Sequence, residues 1–142
     1  MRGQELPDQD HISRLCTPKT APHGIITATA FLLKPEEEGL SVNWLEFLNC
    51  SCREDEIRKI RQIYSRKFRR VSKASRIAVL NIEKMCNTVF EQSQDHRRIV
   101  VHHQPEPPID LSHSEVFNLR EDNLLIAELI LRTVQENHPA SN

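Results

Sequence analysis

Arg58, Arg61, Arg66, Arg69, Arg70, Lys73 and Arg76 recur within residues 53–76, a stretch with ten of the chain's nineteen Lys and Arg residues and only three acids. Cations so spaced can follow a phosphate backbone. Arg outnumbers Lys thirteen to six, and a guanidinium grips phosphate through two parallel N–H donors where an ammonium acts as a point charge. The chemistry indicated is contact with RNA, DNA or a nucleotide, with Tyr64 as the aromatic for base stacking. The plain alternative is a solvated helix face tied to acids around Glu36 or Glu121. A pI of about 6.7 lies below that of a dedicated nucleic-acid-binding domain.

A second set of residues has the types needed for proton transfer. His102 and His103 close a predicted strand, Ser112-His113-Ser114-Glu115 follows a proline-rich loop, and Asp10-His11-Ile12-Ser13-Arg14 lies near the N-terminus. Imidazole titrates near neutrality, and a neighbouring carboxylate can orient it. Two histidines and a cation suffice for metal-free RNA cleavage: one as base on the 2'-hydroxyl, one as acid on the leaving oxygen, the cation steadying the phosphate. The candidates are His11, His113 and one of His102 or His103, which point to opposite faces of a strand. Glu115 shares a face with His113, and Glu46 shares one with Trp44 if the strand continues that far. Each histidine taken singly reads rather as a structural residue, and Glu46 by default as an arginine partner.

Neither a metal nor an organic cofactor is expected. Cys50 and Cys52 form one tight pair, whereas structural zinc takes two pairs, and there is no HExxH helix. Three glycines cannot supply a GxGxxG or Walker-type phosphate loop, and no GxSxG or kinase signature occurs.

The elements that must position these groups are only partly visible. Residues 1–23 read as an irregular lead-in punctuated by Pro7, Pro18 and Pro22, followed by a single α+β domain over residues 24–142. Residues 24–34, rich in Thr, Ile and Phe, read as a strand. Residues 35–39 read as a turn, and residues 40–48 as a strand pairing back in a hairpin. Ser51 and Glu54 stand at capping-box spacing before a helix whose inner face is Ile57, Ile60, Tyr64 and Phe68. Residues 75–82 and 97–103 are short apolar runs consistent with strands, with a short helix over 83–91 between them. A C-terminal helix is predicted over 120–137. About four strands and three helices then give a small mixed or antiparallel sheet with the helices mainly on one face.

A chain of 142 residues can bury a core without staples. No apolar run reaches bilayer-spanning length, so no membrane association is expected. Residues 1–22 carry acids and prolines in place of a signal-peptide segment. A cytoplasmic protein with reduced thiols is expected. Two functional expectations follow. One is a binder of a phosphate-bearing ligand through a basic helix, with a histidine-based nuclease or phosphoesterase as its catalytic form. The other is a non-catalytic interaction module or accessory subunit that holds an acidic protein partner or forms a homo-oligomer. For the latter, Leu124, Leu125, Ile126, Leu129, Ile130 and Leu131 exceed what one flank of a helix needs.

Overall fold

The computed structural model describes residues 3–120 and 123–141. Among these, six strands form one antiparallel sheet: β1 (His11–Cys16), β2 (Leu40–Trp44), β3 (Arg76–Asn81), β4 (Val100–His103), β5 (His113–Phe117) and β6 (Val134–Pro139). Their order is β4-β5-β2-β1-β3-β6. The helices are α1 (Arg53–Lys67), α2 (Ile82–Gln92) and α3 (Leu124–Leu131). The architecture remains α+β.

Side-chain alternation along β3 assigns the layers. Ile77 and Val79 pack with Ile57, Ile60 and Tyr64 of α1. Ala78 and Leu80 face the opposite layer, with Met85 and Val89 of α2 and Ile126, Ala127 and Ile130 of α3. All four β3 side chains are fully buried. This corrects the expectation of about four strands with the helices mainly on one face: the sheet has six strands and is covered on both.

Five local differences produce that change, the first being that His113–Phe117, read as a segment after the proline-rich loop, forms the strand β5. Residues 11–16, read within the irregular lead-in, form β1, which pairs with β3 along its whole length from His11↔Asn81 to Cys16↔Arg76. Residues 24–34 form no strand but a loop with 3-10 turns at Pro22–Gly24 and Ala28–Phe31. There the Thr27 hydroxyl donates to Thr20 O at 2.9 Å, a local bond that competes with sheet pairing. Ile26, Ala30, Phe31 and Leu33 still reach the core. With that segment in a loop, β2 pairs with β1 and β5 instead. The predicted helix over 120–137, of which residues 121 and 122 lie outside the described residues, gives way to α3 and β6. Thr133 Oγ1 donates to Ile130 O at 2.7 Å where the helix ends, and Val134 begins a strand of alternating exposure.

Both sheet edges are protected. Beside β4, Leu6 N–H donates to Val101 O and His103 N–H donates to Gln4 O. Gly3 is required there, because a Cβ would stand 2.0 Å from His103 O. On the β6 side a register shift at Val79/Leu80 and Pro139 interrupt regular pairing.

Candidate nucleic-acid interface

Helix α1 carries the basic face, and the two ends of the helix are fixed differently. The expected Ser51 cap does not form: Cys52 is the N-cap and makes no side-chain capping bond. Glu54, Asp55 and Glu56 instead sit at the positive end of the helix dipole. Glu56 is buried and accepts from Arg53 Nη1 at 2.6 Å. Its carboxyl is pushed above the usual range by burial, against the lowering charge of Arg53. Arg53 Nε also reaches Glu136 at 3.2 Å, and His138 Nε2 lies 2.7 Å from that carboxylate. The first cation of the basic stretch is thus internally paired.

The last turn is held by a polar cluster that the sequence did not disclose. Lys67 Nζ contacts Asp110 Oδ2 at 2.7 Å and Glu106 Oε1 at 2.5 Å. Asp110, only 1% exposed, accepts through Oδ1 from Asn43 Nδ2 at 2.7 Å, and the same amide nitrogen donates to Ser112 Oγ at 2.8 Å. Burial lowers the Lys67 ammonium's pKa, but the hydrogen bonds to Asp110 and Glu106 outweigh it and raise it overall. Burial raises Glu106, yet the Lys67 bond and the neighbouring His113 hold it below its usual 4.5. An acid with a depressed folded pKa adds stability above its unfolded value and loses it as pH falls through the folded one. Acidification below about 4.5 is therefore expected to loosen the 104–112 loop, with Glu106→Gln removing part of that pH dependence in a urea titration.

Between these anchors the outer flank of α1 forms one wall of a groove of about 450 Å³, closed on the other side by Ala140 and Ser141. Arg58, Arg61, Arg69 and Arg70 line it with Gln62, Ser65, Phe68 and Val71, and no carboxylate is among the described lining residues. Arg58 pairs with Asp55 at 2.6 Å while its side chain stays 61% exposed. Arg61 Nε donates to Pro139 O at 2.9 Å. Arg69 and Arg70 are exposed on the segment where the backbone leaves the helix, extended from Phe68. Arg66 and Lys73 are exposed but lie outside the groove lining. Arg76 is occupied elsewhere, its Nε donating to Asn137 Oδ1 at 2.6 Å. Of the acids named as partners for this face, Glu121 lies outside the described residues.

The burial of the two aromatics is exchanged relative to the sequence reading. Tyr64, the expected stacking residue, is buried, with its hydroxyl 3.5 Å from Asn43 Oδ1. Phe68, read as part of the buried face, caps the helix C-terminus and is 40% exposed. Termination at Lys67 releases Phe68 from the helical period.

The histidines do not converge on this groove; none lines it. His11 donates from Nδ1 to Glu46 Oε2 at 2.7 Å, and its backbone N–H reaches Glu46 Oε1 at 2.7 Å. The strand does not continue to Glu46, which lies beyond β2 in a 3-10 turn, and its partner is His11 where an arginine was expected. His113 is 3% exposed; its Nδ1–H donates to Gln104 O at 2.7 Å and its Nε2 lies 3.2 Å from Ser41 Oγ. His102 donates to Gly3 O at 2.7 Å, and His103 donates to Leu111 O at 2.7 Å. Glu115 lies opposite both Ser41 and His102 in the sheet. Each of these imidazoles has a structural partner, and His11 and His113 stand on strands separated by β2.

Burial pushes the Cys16 thiol up to about 11 and the Cys86 thiol up to about 12, so both are held protonated. Among the described residues no group of three or more His, Cys, Asp or Glu is placed to hold a metal ion. No described helix is long and apolar enough to cross a membrane. The fold and groove thus define an antiparallel α+β protein with a cationic cleft on one helix. No family model, no curated protein and no solved structure matches the chain.

Proposed function

We propose that this protein is a cytoplasmic binder of a phosphate-bearing polymer, RNA or DNA, and that it acts by binding, not by cleavage. The observation that carries the reading is the four-arginine groove without a described carboxylate. Guanidinium groups on one concave surface match phosphate oxygens in charge and in hydrogen-bond geometry. Basic residues near the helix end also complement the negative pole of the dipole. That role accounts for Arg66 and Lys67 in the last turn, but not for Arg58, further back, nor for the clustering of Arg69 and Arg70 beside it. A binding role fits the absence of histidine and carboxylate from the described groove lining, since an acid–base pair needs to reach the scissile phosphate.

Fluorescence anisotropy with labelled single-stranded RNA and duplex DNA at low and moderate salt tests the reading. Binding that weakens steeply with salt, with the RNA intact on a denaturing gel, is the expected result. Shortened RNA would overturn the binding-only form. No binding at low salt would move the assignment to a protein partner, for which exposed Leu124 (45%) and Leu125 (69%) at the start of α3 offer the apolar surface.

A further inference from the structure

We propose that the groove selects unpaired strands, with Phe68 as the platform for one base; this deepens the phosphate-contact reading and rests on it. Phenylalanine is among the side chains most often fully buried, yet Phe68 is 40% exposed among four arginines that line the same groove. One side of the ring is supported by Tyr64, with ring centroids 5.8 Å apart at 48°. Tyr64 is itself buried against Ile60, Ile77 and Val79, so the support is rigid. Lys67 Nζ stands 5.8 Å from the Phe68 centroid and is tied down by Asp110 and Glu106. Its position is fixed by those carboxylates and not by the groove. Phe68 itself is one of the residues that line the groove.

Arginines for phosphates and an anchored ring for a base are the two components of sequence-tolerant single-strand recognition. A duplex satisfies only one of them. Its bases are stacked on each other inside a convex cylinder, so they offer Phe68 no face, and its phosphates meet the arginines only at the groove's rim. An acidic peptide likewise satisfies the charge and leaves the ring uncovered. An unpaired strand presents both groups along one chain.

The test compares the full chain with its Phe68→Leu and Phe68→Trp variants. The probes are a labelled oligodeoxythymidylate, its duplex with oligodeoxyadenylate, and an abasic strand of the same length, with polyglutamate as competitor. The parent is expected to bind the thymidylate strand about 10-fold tighter than either the duplex or the abasic strand, and Phe68→Leu to remove that advantage. Affinity for the abasic strand should not change in Phe68→Leu, Phe68→Trp should restore base-dependent binding, and polyglutamate should compete poorly. Because Phe68 is partly exposed, both variants are expected to melt with the parent. Equal affinity of the parent for the thymidylate and abasic strands, or strong competition by polyglutamate, overturns base stacking. If all nucleic-acid probes then still bind with steep salt dependence, the phosphate-contact reading stands alone. If none binds at low salt, both fall.

Discussion

Replacing Arg58, Arg69 and Arg70 together by alanine is expected to weaken binding of a single strand about 100-fold at low salt, at about 1 kcal/mol per lost contact. The slope of log affinity against log salt should fall by about 2, since each neutralised phosphate on a single strand contributes about 0.7. The affinity loss alone is ambiguous, because any damage to the groove would produce it; the change in slope counts charges. Arg61 stays in this variant because its Nε holds Pro139 O, and its removal would disturb the end of β6. Arg66 is the internal control. It is exposed, like Arg69, but does not line the groove, so Arg66→Ala should leave both affinity and slope near the parental values. The triple variant should fold normally, since Arg58 makes only an exposed i,i+3 pair with Asp55, a kind of contact that adds little to stability. A triple variant that binds like the parent would remove the groove from consideration.

The choice of Arg58 over Arg66 marks where sequence reasoning stops. The clustering of cations was visible, and so was the helix that carries them, because Ile57, Ile60 and Tyr64 keep the helical period and are buried. A run buried on both sides was equally legible: β3 falls almost where the apolar pattern puts it, and the short helix expected over 83–91 is α2. What could not be read was which cations are engaged by partners distant in sequence. Arg53 meets Glu136, Lys67 meets Asp110 and Arg76 meets Asn137, and those contacts exist only after the sheet closes. The strands that escaped notice fail the apolar pattern for physical reasons. Arg14 stands in the middle of β1, where its burial is tolerated because Nε and Nη1 donate to Ala30 O and Ser41 O at 2.9 Å. That burial lowers its pKa. Strand β6, at the sheet edge, needs to bury little and reads as polar. Conversely, residues 24–34 have strand composition but bury Phe31 and Leu33 from a loop.

Asp110→Ala is expected to cost about 3 kcal/mol in a urea unfolding titration, because it breaks a buried charge pair and leaves other polar groups short of partners. Asp110 is almost fully buried and accepts from Lys67 and from Asn43 at 2.7 Å each. Without it the Asn43 amide nitrogen keeps only Ser112, and the Lys67 ammonium keeps half-exposed Glu106 as its one carboxylate. Lys67→Met should also destabilise, leaving the Asp110 carboxylate buried with Asn43 as its one remaining side-chain donor. The double variant Lys67→Met with Asp110→Ala removes both charges, so its cost should fall below the sum of the single costs by about 1 kcal/mol or more. Additive costs would mean that the two side chains act independently despite their separation. The pair therefore separates two kinds of positive charge on one helix. Lys67 is required by the fold and fixes the turn from which Phe68 projects, whereas Arg58, Arg69 and Arg70 are expected to be removable with little loss of stability. Charge that the fold does not need, gathered on one concave surface beside an exposed ring, is what a ligand with phosphates and bases would explain.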